Sequence, residues 1–374
     1  MHELLGVLVA LSVGCLGQQD AHVGDGTSPE DAGGANNGGD GISGCAMPNA
    51  SSELWVSVGL STETVRAFAF DASGYLFATI NTPTGGIWRA SAPCYSDWEK
   101  VRDGNYFAIA VSTAGTVFAA TTTIAPAEIW RSTDSGMHWQ LAIGGFATAD
   151  LGNGDIGSLV ASPTGDVLAG MSWAAHNIYR TSDQAASWTA SVGGQSPPPS
   201  DDVRALFVAS PAVLYAGSES HGLYRSSDDG HAWTLLGPTP AGHAINVVRA
   251  TKSGQIFTGN HGMSRGVTRS LDNGQSWSYA NPPSGFGATN PISWAGPVEA
   301  MAISGDGTLY IGAIQTQPAL AATIQRSTDF GTTWSPYDAG LDPTAVTRAL
   351  AFGPDGFLYR GGIGGVMRSA AALD

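Results

Sequence analysis

Four short stretches of the sequence place aromatic rings, carboxylates or imidazoles after apolar, strand-like runs. The residues concerned are Trp173, His176, Glu219, His221, His261 and Trp294. A tryptophan ring stacks on the apolar face of a sugar while polar groups bond its hydroxyls, so this combination favours a carbohydrate-binding surface. Hydrolysis of a glycosidic bond would need two acids about 5 to 10 Å apart, and Glu219 with Glu299 is the only pair that we nominate for it.

The same imidazoles are the obvious candidates for metal binding. His176, His221 and His261 are well separated in the sequence. Zinc ligands usually come in closely spaced pairs, so we predict no metal site. The sequence also has no phosphate-binding loop, serine-nucleophile motif or dinucleotide fingerprint, and we predict no cofactor.

A set of arginines offers a second kind of chemistry. When the repeated strands described below are aligned on the turns that follow them, one position collects Arg66, Phe107, Gly157, Arg204, Asn246, Glu299 and Arg348. In a ring of strands this position falls at the mouth of the central channel. Guanidinium groups match carboxylate and phosphate, which favours an anionic ligand. Alternatively, Glu299 bridges Arg66 and Arg348 as paired charges, and both interpretations stay open.

The elements that would position these residues belong to a repeat. The phrase Ser-x-Asp-x-Gly-x-x-Trp surrounds Asp134, Asp228, Asp272 and Asp329, a variant with Ala185 in place of glycine surrounds Asp183, and a degenerate copy reaches Trp98. The hydroxyl and carboxylate can bond backbone N–H groups of a tight turn, glycine supplies a positive φ, and tryptophan packs between sheets. We therefore predict that the five aspartates are structural, as buried turn carboxylates bonded to the backbone.

Two strands and a turn precede each of these phrases, and the unit recurs seven times at the spacing of propeller blades, about 40 to 50 residues. The sequence thus predicts an all-β, seven-bladed β-propeller of four-stranded blades over residues 52–374. The last copy ends near Ser369 without a fourth strand, and residues 52–59 match the missing one. Closure of the last blade by this N-terminal strand would remove an open sheet edge.

The repeats resemble those of the Asp-box, or BNR, propellers, which include sialidases, xyloglucan-type glycoside hydrolases, sortilin-like receptors and the photosystem II assembly factor. The resemblance covers residues 52–374 and is specific for fold rather than activity. Sialidases also carry an Arg-Ile-Pro motif, which this sequence lacks. The resemblance implies a binding module for a glycan, an anionic ligand or a protein partner, with a glycoside hydrolase or an assembly factor as alternatives.

The N-terminal region differs from the repeats. Residues 4–14 form an apolar run of signal-peptide length that ends at Cys15 in a lipobox-like sequence. We predict a signal peptide over residues 1–15, lipidation of Cys15, and a flexible Gly-, Asp- and Asn-rich tether over residues 16–51. The alternative is a secreted protein with a disordered leader. Cys45 and Cys94 remain as an even pair, for which the repeat register predicts a disulfide.

The charge balance bears on partners. With 31 acidic and 16 basic residues the formal charge is −15, so the molecule as a whole repels nucleic acid and anionic membranes. We expect no nucleic-acid partner, membrane attachment only through a lipid anchor, and a monomer that is secreted or held in a bacterial cell envelope.

Overall fold

The computed structural model describes residues 54–82, 84–121, 126–195, 201–236, 244–260, 266–280, 298–313, 324–342 and 345–374. Within these residues seven antiparallel sheets follow one another around a central channel. The protein is a seven-bladed β-propeller, as the sequence predicts. Residues 1–15, the tether, Cys15, Cys45, His261 and Trp294 lie outside the described residues, and what the sequence indicates for them stays a prediction.

Each blade is a meander of strands that runs outward from the channel, and we label the strands A to D in that order. The A strands are β2 (Val65–Phe70), β6 (Tyr106–Val111), β10 (Asp155–Ala161), β15 (Val203–Ser210), β19 (Ile245–Ala250), β23 (Val298–Ile303) and β27 (Thr347–Phe352). The B strands are β3 (Tyr75–Ile80), β7 (Val117–Thr121), β11 (Val167–Ser172), β16 (Val213–Ser218), β20 (Ile256–Asn260), β24 (Leu309–Ala313) and β28 (Phe357–Gly362).

The outer strands complete the blades. The C strands are β4 (Gly86–Ser91), β8 (Ile129–Ser132), β12 (Ile178–Thr181), β17 (Leu223–Ser226), β21 (Val267–Ser270), β25 (Ile324–Ser327) and β29 (Gly365–Ala372). The D strands are β5 (Glu99–Asp103), β9 (Gln140–Leu141), β13 (Thr189–Ala190), β18 (Ala232–Leu235), β22 (Ser278–Tyr279), β26 (Ser335–Pro336) and β1 (Trp55–Gly59). B strands are almost wholly buried because blades pack against both of their faces, whereas D strands are largely exposed.

The ring closes in the last blade, where the N-terminal strand β1 pairs with β29. Trp55 lies opposite Ser369 and Val56 opposite Arg368. This antiparallel pairing supplies the fourth strand that the last repeat lacks, so the predicted closure is confirmed.

Two elements depart from the prediction of seven plain four-stranded blades. Strand β14 (Gly193–Gly194) pairs parallel with β18 and gives the fourth blade a fifth strand. Helix α1 (Thr148–Asn153) lies between the second and third blades. A strand of two glycines carries no apolar alternation and a six-residue helix carries little periodicity, so neither has a clear signal in the sequence.

The repeated phrase forms the turn from strand C to strand D. In the second blade Ser132 Oγ donates to Asp134 Oδ1 over 2.8 Å, and the same carboxylate oxygen accepts from the N–H of His138 over 2.9 Å. The other four boxes repeat these bonds around Asp183, Asp228, Asp272 and Asp329. The expectation that these carboxylates are buried is wrong. They are exposed or half-buried, because the N–H groups that they bond lie at the exposed end of the turn.

These turns predict a loss of stability in acid. Hydrogen bonds from side chains and backbone lower the pKa of Asp134, Asp183, Asp272 and Asp329 to about 2, from 3.8. A carboxylate whose pKa is lower in the folded state than in the unfolded state stabilises the fold at pH values above its unfolded-state pKa. This contribution disappears as the pH falls to the folded-state pKa. We expect the urea midpoint to fall between about pH 4 and about pH 2.

Single variants separate this effect from the general charging of an acidified protein. Asp272→Asn should show a shallower dependence of the urea midpoint on pH over that range, since it removes one of the four groups. Asp97→Asn alters an exposed aspartate beside Trp98 in the degenerate copy, which is not one of the five box aspartates, and it should follow the wild type. Equal slopes for the wild type and Asp272→Asn would contradict the assignment.

Candidate functional site

A cavity of about 240 Å³ opens at the end of the channel where the A strands begin. It is lined by Arg66, Phe107, Asp155, Gly157, Ser172, Trp173, Arg204, Asn246 and Glu299. Six of the seven positions collected by the strand alignment therefore line one cavity. The seventh, Arg348, bonds Glu299. We call this cavity, together with Arg348, the upper mouth.

A β-bulge places each of these side chains. In all seven blades the register between strands A and B shifts at the second or third residue of strand A, so that one residue has no partner on strand B. The residues at the bulges are Arg66, Phe107, Gly157, Arg204, Asn246, Glu299 and Arg348. A bulge re-aims a side chain without breaking the sheet. The repeat thus presents seven variable positions around one opening.

Glu299 joins two of the arginines through a single carboxylate oxygen. Its Oε2 lies 2.9 Å from Arg66 Nη1 and 2.8 Å from Arg348 Nη1. The Arg66 guanidinium also lies 3.9 Å from the centre of the Phe107 ring. Burial lowers the pKa of Arg66, Glu299 opposes that change, and the positive charges of Arg348 and Arg204 add to it. The three arginines are therefore close enough to act on one another.

Arg204 is also paired. Its Nη2 donates to Asp202 Oδ2 over 2.8 Å and lies 3.0 Å from Glu219 Oε2. Arg66, Arg204 and Arg348 of the upper mouth thus each have a carboxylate partner. This is the paired-charge arrangement, one of the two interpretations that the sequence left open. Because each guanidinium group is already paired with a carboxylate, the geometry favours a polar ligand with hydroxyl groups over a strongly anionic one.

Trp173 is the exposed aromatic side chain of the upper mouth. It follows strand β11, its side chain is 59% exposed, and its φ of +56° is in the left-handed region. The Trp173 N–H donates to Asp202 Oδ1 over 2.9 Å, which holds this conformation. A left-handed non-glycine residue costs stability and is often retained at functional sites.

The histidines predicted for the site are held by buried aspartates from the preceding D–A loops. His176 Nδ1 lies 2.8 Å from Asp150 Oδ2, and His221 Nδ1 lies 2.8 Å from Asp201 Oδ2. Both imidazoles are partly exposed while both carboxylates are almost fully buried. Burial alone would raise the pKa of Asp150, but hydrogen bonds from His176, Tyr179 and the N–H of Ala175 hold it below its usual value.

The structure therefore brings together part of the predicted site. Trp173, Arg66, Arg204, Asn246 and Glu299 line the cavity, whereas His176, Glu219 and His221 do not. They lie on the B–C loops of the third and fourth blades, where Asp150, Asp201 and Asp202 fasten them to the D–A loops.

The nomination of Glu219 and Glu299 as an acid pair stays a prediction. Glu299 is held between the guanidinium groups of Arg66 and Arg348, which both donate to its Oε2. The buried Glu219 Oε2 lies 3.0 Å from Arg204 Nη2, so this carboxylate is also paired with a guanidinium group. Among the described residues no three His, Cys, Asp or Glu side chains meet as metal ligands.

Sequence reasoning missed the aspartates that organise the site. Asp202 binds the backbone of Trp173 and the side chain of Arg204, and its carbonyl accepts from the N–H of Glu219. The sequence offered one signal for these aspartates, the adjacent acids Asp201 and Asp202 directly before strand β15. Asp150 lies in the short helix α1, and no pattern in the sequence indicated its role. Cys94 forms a disulfide, but its predicted partner lies outside the described residues and the pairing stays a prediction.

Comparison with known proteins relates the chain to others through structure. No known protein family and no curated protein sequence matches it. The structure of YCF48 bound to D1 peptide superposes with a TM-score of 0.62 at 18% identity, over 88% of this chain and 100% of that chain. A GH74 xyloglucanase from Xanthomonas campestris gives 0.61 at 18% identity, over 86% of this chain and 54% of the enzyme. An extracellular domain of a one-component system from B. thetaiotaomicron gives 0.61 at 11%, over 85% and 39%.

At these identities the similarity shows the fold, which is that of seven-bladed propellers, and no activity. The chain spans about half of the xyloglucanase and less of the extracellular domain. Membership of the Asp-box family stays a prediction. None of the helices in the described part of the chain is long and apolar enough to cross a membrane.

Proposed function

We propose that the protein is a glycan-binding module, secreted or held in the cell envelope, that recognises sugar residues at the upper mouth. The observation that carries this proposal is the exposed Trp173, set in a strained conformation beside a cavity whose arginines are already paired with carboxylates. An aromatic face stacks on the apolar face of a sugar, and fixed donors and acceptors bond its hydroxyls.

The size of the cavity limits what it encloses. Pockets that bury a drug-sized ligand are about 300 to 1,000 Å³, so 240 Å³ suits one or two sugar residues. The rest of a chain would lie over the B–C loops, where the aspartate-bound His176 and His221 offer further polar contacts. Among the similar structures are a xyloglucanase and the extracellular domain of a one-component system, which supports a carbohydrate ligand and an extracytoplasmic location for this protein.

A protein ligand is the second candidate. The similar structure of YCF48 bound to D1 peptide favours this candidate. A protein that binds such a ligand would act as an assembly factor, the alternative named from the sequence. A peptide would use the arginines as partners for acidic side chains, so Arg66, Arg204 and Arg348 would have to exchange their present carboxylates for those of the ligand.

The test is a glycan array that carries neutral and acidic glycans and is probed with the full-length protein. The glycans that bind are then incubated with the protein and analysed for cleavage. We expect binding of neutral glycans without cleavage. Cleavage would instead favour a glycoside hydrolase and make Glu219 and Glu299 the first residues to replace. Binding of acidic glycans alone would favour the anionic ligand, and the triple replacement of Arg66, Arg204 and Arg348 by glutamine should then abolish it. No binding would contradict the proposal and direct the search to protein partners.

A further inference from the structure

A second cavity, of about 230 Å³, lies at the opposite end of the channel, where the A strands of the third to seventh blades end and turn into the B strands. We call it the lower cavity. Its wall is mainly apolar, and includes Phe207, Val208, Ile303, Leu350 and Phe352. The two ends of the channel therefore differ: paired charges surround the upper mouth, whereas the strand-A part of the lower wall is mainly apolar.

One cation interrupts this apolar wall. Arg249, near the end of strand β19, donates from Nη1 to the carbonyl of its neighbour Val248 over 2.8 Å, and its guanidinium lies 5.2 Å from the centre of the Phe207 ring. Over the described ranges it has no salt bridge, whereas all three arginines of the upper mouth have one. Burial lowers the pKa of Arg249 to about 10.

The other charges at the lower cavity do not neutralise Arg249. The carboxylate of Asp306 accepts from Ser304 Oγ and from the N–H of Thr308 within its own turn. Lys252 is exposed and adds a second positive charge at the rim. Arg249 is half-buried, and a cation that is partly removed from water without a counter-ion is costly, so an anion that reached it would offset that cost. The planar guanidinium fork matches a carboxylate in particular.

We propose that the lower cavity binds a small carboxylate with an apolar body. The carboxylate would bond Arg249, and the body would pack against the wall formed by Phe207 and Leu350. This site is independent of the upper mouth, because it lies at the other end of the channel and shares none of its lining residues.

The experiment is ligand-observed NMR on the full-length protein with benzoate, phenylacetate and octanoate, each compared with its neutral amide. We expect at least one carboxylate to bind about tenfold more tightly than its amide, which corresponds to one charge-assisted interaction. Arg249→Met should remove this preference and Arg249→Lys should retain part of it. Lys100→Met removes a positive charge from an outer strand and should bind like the wild type.

The variant also has an expected effect on stability, which shows whether it folds. Because Arg249→Met removes an unpaired cation from an apolar wall, its urea midpoint without ligand should equal or exceed that of the wild type. Failure of all three carboxylates to bind, or an unchanged preference in Arg249→Met, would overturn the proposal. Neither result would affect the glycan proposal, which the array tests at the other end of the channel.

Discussion

Replacement of Trp55 by alanine should lower the free energy of unfolding by about 3 to 5 kcal/mol, the usual cost of removing a buried tryptophan. The side chain is only 1% exposed, and its indole Nε1 donates to the carbonyl of Tyr337 over 2.8 Å. Its ring meets that of Tyr337 edge-on, with centroids 5.9 Å apart. Trp55 lies in β1, so the replacement weakens the strand that closes the ring and its contact with the sixth blade at once.

Urea unfolding of the wild type, Trp55→Ala, Trp55→Phe and Met137→Ala would measure this effect. Trp55→Phe keeps most of the buried area but loses the N–H donor, so its loss should be clearly smaller. Met137 is 64% exposed, and its replacement should change stability by less than about 0.5 kcal/mol. If Trp55→Ala were as stable as Met137→Ala, the N-terminal strand would be dispensable and the closure would not stabilise the protein.

The blade count and the ring of mouth residues were predictable because both depend on local pattern. In every copy a variable residue follows a valine, isoleucine, tyrosine or threonine and precedes a small or apolar one, as in Val65-Arg66-Ala67 and Val298-Glu299-Ala300. The flanking residues must face the core, so the variable residue is the one free to differ between blades. The sequence did not show that a β-bulge re-aims it, since a bulge is defined by the pairing of two strands.

Contacts between distant blades could not be predicted in the same way. The hydrogen bond from Arg66 to Glu299 joins residues 233 apart in the sequence. Its formation depends on the size of the ring and on the side-chain rotamers, so the sequence could only leave paired charges as one of two interpretations. Arg249 occupies a strand-A position where the other blades have alanine, valine or phenylalanine, so the repeat pattern assigned the arginine no role. Its significance comes from its surroundings, an apolar wall in which no carboxylate of the described residues forms a salt bridge with it.

Replacement of Trp173 by glycine should strongly weaken glycan binding without a loss of stability. Glycine adopts a φ of +56° at no steric cost, whereas a residue with a side chain is destabilised there by about 1 to 2 kcal/mol. The indole is mostly exposed, so little packing is lost with it. We expect the free energy of unfolding to stay the same or to rise by up to about 1 kcal/mol.

The same variant should lose at least about thirtyfold in affinity for a glycan found on the array, the effect of removing an aromatic residue that dominates a binding site. Trp173→Phe keeps an aromatic face and should retain most of the affinity. Binding titrations and urea unfolding of the same samples measure both quantities. A structural tryptophan would give the opposite result, unchanged affinity and lower stability, and that outcome would remove Trp173 from the site. A residue that costs stability where it stands, yet is needed for binding, is what a trade-off between stability and function predicts.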